Sequence, residues 1–210
     1  MSSPIKISDT GESYILLKVP SRLGVNEEGD LRLTPWKEDD LDDLIELFNL
    51  PNIERWGRSR PSPFTGSDAE DLIPEIRSHH SFNLSPSLST YPKTRVRLSP
   101  LGAVRTEQGK VIGTMGLKPP SKPESEWQVT YNVRDDYAGR GIGNAMVGVA
   151  VDLARWLGIK RLIAHTERGN LASNHILRKN GFIIHAEIMV EWPEHRGGGQ
   201  KEVYEWVMKL

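Results

Sequence analysis

Residues Val133 to Gly143 read Val-Arg-Asp-Asp-Tyr-Ala-Gly-Arg-Gly-Ile-Gly. The stretch before them, Trp127 to Val133, reads as a strand. The stretch after them, Asn144 to Leu157, reads as a helix. That order builds a site for an anion. Gly139, Gly141 and Gly143 stand at alternate positions and let the backbone approach a ligand without a Cβ in the way. The first N–H groups of the following helix point at the same place, reinforced by the positive end of the helix dipole. Arg140 adds a cation. The expected ligand is a phosphate-rich cofactor.

Three other readings compete for this loop. A tight strand-to-helix turn without a ligand needs fewer glycines and no Arg140. A dinucleotide fingerprint would need its third glycine where Ala145 stands, a place where alanine is sometimes allowed, and Glu167 after the next strand would mimic its ribose acid. Such a fold repeats its strand-helix-strand unit, whereas here one unit sits among strands that read as hairpins. A P-loop needs Gly-Lys-Ser/Thr, which the chain lacks.

Working outward, Tyr14–Val19 and Leu31–Trp36 read as strands, and Glu38–Phe48 as an amphipathic helix. Pro51 ends that helix or opens another. Ser67–Arg77 reads as a helix with Ser67 as its N-cap. Ser81–Lys93 is rich in Ser and Pro and reads as an inserted loop. Arg95–Arg105 and Lys110–Leu117 form strands around a Glu107-Gln108-Gly109 turn. Arg161–Thr166 is a strand, and Asn170–Asn180 a helix stopped by Gly181. Phe182–Trp192 and Glu202–Leu210 are strands joined through Gly197-Gly198-Gly199.

Composition narrows the chemistry. The chain has 210 residues, enough for one large domain with a real core. Its 27 basic and 28 acidic residues give a net charge of −1, so nothing in the balance calls for nucleic acid or an anionic membrane. With no cysteine, thiolate nucleophiles, disulfides and zinc–thiolate sites are excluded. The six His show no metal-ligand spacing, and no metal is expected. The polar N-terminus and the lack of a spanning apolar run point to a cytoplasmic protein.

The loop resembles motif A of the GNAT superfamily of acyl-CoA N-acyltransferases. Asn170-Leu-Ala-Ser173-Asn-His-Ile-Leu177-Arg-Lys179-Asn-Gly181-Phe182 is similar to the helix that follows in that superfamily. Leu31 to Trp36, then Glu38 to Leu41, and Pro63-Phe64-Thr65 look like the opening of its ribosomal-protein-alanine acetyltransferase branch. The resemblance runs from about Leu31 to the C-terminus. It implies an α/β (α+β) GNAT fold: a mixed central sheet of about six to seven strands, a splayed parallel pair, and helices on both faces. Residues 29–210 would form one domain, with residues 1–28 an extension carrying an extra strand and 81–93 an insertion. Ala138 stands where the family often has Arg or Gln, or in this branch an aromatic, which leaves the N–H cradle intact.

The resemblance further implies acetyl-CoA as co-substrate, an amine acceptor, no covalent enzyme intermediate, and room for a homodimer. Val133, Ala138, Gly139, Arg140, Gly141, Ile142, Gly143, Asn170 and Ser173 would bind the cofactor. Asn170 would also serve as a helix N-cap. The N–H of Val133 or its neighbour would stabilise the oxyanion. Many members carry a tyrosine acid where this chain has Leu177, and branch members often carry Glu where it has Gln128. Period-2 alternation puts Glu126, Gln128, Thr130 and Asn132 on one face of the strand, which makes Glu126 the expected base. His165, on the second splayed strand, is read as packed or hydrogen-bonded.

The acceptor follows from the lack of an evident strong base. Deprotonating a lysine amine at pH 7 costs ~4.6 kcal/mol, and an α-amine only ~1–1.4 kcal/mol. A peptide N-terminus or a small amine is therefore expected. The alternatives are a non-catalytic or regulatory acyl-CoA-binding module, prompted by Leu177 and Gln128, and an NAD-binding protein.

Overall fold

The computed structural model describes residues 3–19, 30–58, 60–79, 102–118, 120 and 126–210. The Ser81–Lys93 insertion and the strand reading of residues 95–101 lie outside them. The described strands are β1 (Lys6–Ile7), β2 (Ser13–Leu16), β3 (Arg32–Thr34), β4 (Ala103–Arg105), β5 (Val111–Lys118), β6 (Trp127–Val133), β7 (Arg161–Glu167), β8 (Ile183–Glu191) and β9 (Gln200–Lys209). They form one sheet in the order β1-β2-β3-β4-β5-β6-β7-β9-β8. Nine strands exceed the six to seven expected. The excess comes from the N-terminal extension, where β2 pairs with β3 and β1 with β2. Ile5, Ile15 and Leu17 drop into the core and anchor these short edge strands.

Every neighbouring pair is antiparallel except β6 and β7. The crossover between those two is α4 (Ile142–Leu157), closed by Gly158 at φ 76°. The long apolar face of α4 supplies Met146, Val147, Ala150, Leu153 and Ala154 to the larger core, and α5 (Leu171–Lys179) adds Leu177.

The opposite face carries α1 (Leu41–Phe48), α2 (Pro51–Trp56) and α3 (Gly66–His79). A turn of 3₁₀ helix, Glu38–Asp40, leads into α1, and Pro51 opens α2 in the first turn, where its missing N–H costs nothing. Two cores result. Val104 belongs to the one under α4 and its neighbour Ala103 to the one under α1, so β4 alternates between the faces. Asp40 and Arg105 tie the α1 end to the sheet through two buried contacts of 2.8 Å. The start of α3 corrects the expected cap. Ser67 lies inside the helix. The capping position falls to Thr65, whose N–H and hydroxyl both donate to Asp68 Oδ2, at 2.7 and 2.6 Å.

Candidate active site

The site opens where β6 and β7 part. β6 pairs with β5 along six positions, from Gln128 to Val133, but with β7 only at Trp127 and Gln128. Beyond Gln128 no strand among the described residues pairs with β6 on that side. The antiparallel ladder fixes which backbone groups line the gap. Arg134 N–H donates to Ile112 O at 2.9 Å, so the even residues of β6 bond to β5. The N–H and C=O of Tyr131 and Val133 therefore point into the gap. On the other side Leu210 N–H bonds Lys160 O and Arg168 N–H bonds Glu202 O. By the same alternation the backbones of His165 and Glu167 face the gap from β7. Of Val133 and its two neighbours, the N–H groups of Asn132 and Arg134 turn to β5, and that of Val133 is the one aimed into the gap.

The glycine loop begins at the open end of β6. Asp135–Tyr137 forms one 3₁₀ turn, and Gly139 and Gly141 take φ of 75° and 79°, in the left-handed region. Helix α4 then starts without a side-chain cap on Gly141, and its first internal bond runs from Ala145 N–H to Gly141 O. The N–H groups of Ile142, Gly143 and Asn144 thus have no acceptor within the helix. They sit in a continuous cleft with Ala138 and Gly139. An uncapped helix start beside two left-handed glycines leaves free N–H donors of the kind that bind an anion.

Two loop residues depart from what the sequence implied. Arg140 folds back, donating to Asp136 O at 2.8 Å, with its guanidinium 5.0 Å from the Tyr137 ring centroid. In this geometry it brackets the turn rather than entering the cradle. Gly143 offers its N–H to the cradle, but the side where a Cβ would stand faces helix α5, with Ile176 Cδ1 the nearest atom.

Helix α5 closes the cofactor side. Asn170 caps it, accepting from Ser173 N–H at 3.2 Å. The Ser173 carbonyl accepts from the Tyr131 hydroxyl at 3.5 Å. Burial pushes that phenol up to about 12, so Tyr131 keeps its proton throughout the working range. Leu177, at the family's tyrosine position, is fully buried core. Behind the gap Thr166 donates to Asn174 Oδ1 at 2.5 Å and accepts from Trp206 Nε1–H at 2.8 Å, which fixes α5 against β7 and β9.

The opposite face presents different chemistry. Gln128, Thr130 and Asn132 of β6 lie there with His165 and Glu167 of β7, and all five line the cleft. Asn132 Nδ2 donates to Thr114 Oγ1 at 3.0 Å. His165 Nε2 lies 3.4 Å from Glu205 Oε2. Glu167 pairs with Lys201 at 3.3 Å. Glu126 is not brought to this place. It stands at the closed end of the parallel pair, 3.0 Å from the Arg161 guanidinium and ~23 Å along the strand from Val133. Alternation gave its face correctly, but it sits at the wrong end of the cleft for a base. His165, Glu167 and Arg60 were not selected from the sequence as site residues. The run Ile163, His165, Glu167 carried the signal for the first two, whereas Arg60 lies in an aperiodic loop.

A family model described as "Acetyltransferase (GNAT) domain" matches residues 30–183. The chain belongs to the GNAT acetyltransferase family. It is accordingly an N-acetyltransferase-type enzyme, and β8 and β9 extend the matched region within the same sheet. Solved structures agree on the fold. Ribosomal-protein-S5-alanine acetyltransferase from Vibrio fischeri aligns with a TM-score of 0.66 at 19% identity, over 85% of this chain and 92% of that one. RimJ of Mycobacterium smegmatis, in complex with CoA-disulfide, gives 0.69 at 15% identity, over 93% and 86%. Spermidine N-acetyltransferase from Vibrio cholerae, in complex with CoA and spermine, gives 0.65 at 17% identity, over 88% and 96%. No curated protein matches the sequence. Among the described residues no helix is long and apolar enough to cross a membrane, and no cluster of His, Asp and Glu is arranged to hold a metal.

Proposed function

We propose that this GNAT-family enzyme transfers an acetyl group from acetyl-CoA directly to a primary amine, with a peptide N-terminus or a small amine as acceptor. The observation that carries the reading is the parting of β6 from β7 after Gln128, which aims the Val133 N–H into a gap beside an uncapped helix start. The M. smegmatis and V. cholerae structures that share the fold hold CoA species, which supports a CoA-linked donor.

The residues divide the work by face. The N–H groups of Ile142, Gly143 and Asn144, with the backbone of Ala138 to Gly141, would hold the pyrophosphate. Asn170 and Ser173 would border the thiol end. When bound, acetyl-CoA supplies an activated acyl group. Val133 N–H would donate to the carbonyl oxygen as negative charge develops there, and it is preorganised for this because the sheet holds it. The amine would enter from the face of Gln128, Thr130 and Asn132. His165, oriented by Glu205, takes over the role first given to Glu126 and would accept the amine proton, directly or through one water. Tyr131 keeps a proton beside Ser173 and would be the donor to the departing thiolate.

Acetyl-CoA binding by calorimetry, with thiol release and product mass in the presence of an amine panel, tests the reading. Tight binding with amine-dependent thiol release supports it. Tight binding without turnover of any amine would leave an acyl-CoA-binding module, and no binding would remove the reading altogether.

A further inference from the structure

On the acceptor face Arg60 has no counter-charge among the described residues. Arg60 stacks over Phe48, with its guanidinium carbon 3.9 Å from the ring centroid. It passes close to Gly57, where an added Cβ would touch Cζ and Nη2 at 3.4 Å. Nη2 reaches Asn132 Oδ1, next to Val133, at a long 3.5 Å. Nη1 is cut off from solvent and bonded to nothing. Two carboxylates of this wall are otherwise engaged. Glu54 accepts from Ser62 and from Arg196, whose guanidinium is itself buried, and Glu167 holds Lys201. Among the described residues Glu54 is thus taken up by Arg196, and the charge that Arg60 feels is the like charge of Arg196. Burial first, and then the field of Arg196, bring Arg60 down to about 10, as expected for a cation that lacks an anion.

A guanidinium kept in this state is poised for an anionic ligand. Stacking on Phe48 compensates for part of its lost hydration but leaves the planar fork with no acceptor at Nη1 and only the long contact to Asn132 at Nη2. The fork suits the two oxygens of a carboxylate. It also sits beside Asn132, one residue from the N–H aimed at the acyl group. We infer that Arg60 is the anion subsite for the acceptor, and that the amine accepted by this enzyme carries a carboxylate. The inference rests on the transferase reading above and narrows its substrate class. The carboxylate has two sources, a free amino acid or an acidic residue near the N-terminus of a peptide.

Matched acceptors test it. Alanine is paired with alaninamide, γ-aminobutyrate with butylamine, and an amidated Ala-Asp-Ala peptide with its Ala-Asn-Ala counterpart. Wild-type enzyme should favour the carboxylate member of at least one pair by about ten- to a hundredfold in kcat/KM, the worth of a charge-assisted hydrogen bond. Arg60→Gln should abolish that preference mainly through KM, with the carboxylate member losing about ten- to a hundredfold more than its neutral partner and acetyl-CoA affinity kept. Preference within the free amino acids or within the peptides identifies the source. The inference is overturned if wild type shows no preference, or if Arg60→Gln slows both members of a pair equally. Should folded wild type bind acetyl-CoA yet acetylate no amine, the transferase reading fails separately. Calorimetry with the same compounds then decides the subsite: carboxylates bound by wild type but not by Arg60→Gln keep it, and no binding removes it.

Discussion

A Cβ on Gly143 would come within 2.9 Å of Ile176 Cδ1, so the third glycine of the loop is the contact at which α4 meets α5. The first two glycines act differently, because Gly139 and Gly141 hold left-handed backbone beside the exposed helix start. Gly143→Val should therefore act on the fold. Overpacking of this kind costs about 1–3 kcal/mol. Urea unfolding should show that loss, and acetyl-CoA affinity should fall only as far as the displaced α5 carries Asn170 and Ser173 with it. A variant of parental stability that has lost the cofactor would show that a side chain at position 143 obstructs the ligand rather than α5.

Thr166→Val should destabilise the protein although it keeps the side chain's shape. The substitution removes one donor and one acceptor from a buried chain, leaving Asn174 Oδ1 and Trp206 Nε1–H each without its partner. An unsatisfied buried polar group costs about 1–3 kcal/mol. The urea midpoint should drop with little change in slope. A loss below about 0.5 kcal/mol would mean that water or a rotated Asn174 takes over.

Arg134 gives the fold an acid-sensitive tie. It ends β6, reaching Glu46 of α1 at 2.7 Å and Asp136 at 3.1 Å. The hydrogen bond from Arg134 holds the Glu46 carboxyl below its ordinary value of 4.5. A lowered carboxylate pKa contributes stability that is present above the unfolded value and is lost as pH falls through the folded one. Glu46→Gln should therefore cost stability near neutral pH, and the gap to wild type should close below about pH 4.5. Glu46 is half-exposed, so the cost stays within ~1 kcal/mol. A gap that is constant from neutral to acid pH would show that the charge contributes nothing.

Local signals explain what could be read from the chain. The ends of β6 follow its alternation, and the Gly109 turn and the Asn170 cap each depend on a few adjacent residues. The strand β1 has two residues, too short to announce itself, and exists by pairing on to β2, whereas β2 overlaps the β-prone run Tyr14–Val19. Ser67 and Thr65 both offer a cap, and only the reach of Asp68 decides between them. Glu126 shows a deeper limit. Alternation states which face a side chain occupies, but which end of β6 opens is set by β7, about thirty residues later in the chain. Arg60 is further still from local reading. Its environment is built by Gly57, Phe48, Asn132 and Arg196, from four separate stretches.

The proton acceptor can be decided by two substitutions read together. Glu126 pairs with Arg161 at the closed end of the cleft, and both are partly exposed, so Glu126→Gln should leave kcat/KM within about twofold and cost at most ~1 kcal/mol of stability. His165 faces the gap with Glu205 behind it, so His165→Gln should lower kcat/KM by ~10²-fold, the lower range for general acid–base catalysis. Acetyl-CoA affinity should hold in both, because neither touches the loop from Ala138 to Gly143. The His165→Gln defect should shrink as pH rises, since more of the amine then arrives already neutral. It should also be larger for a lysine-type amine than for an α-amine, whose pKa of about 7.7–8.0 leaves less proton to remove. Glu205→Gln, which only loosens the imidazole, should give a smaller loss with the same pH trend. If His165→Gln keeps wild-type rates at every pH while Glu126→Gln loses them, the base lies at the closed end and the amine must approach from there. If neither changes the rate, the enzyme takes its amine from water already deprotonated, and the acceptor face serves only to orient it.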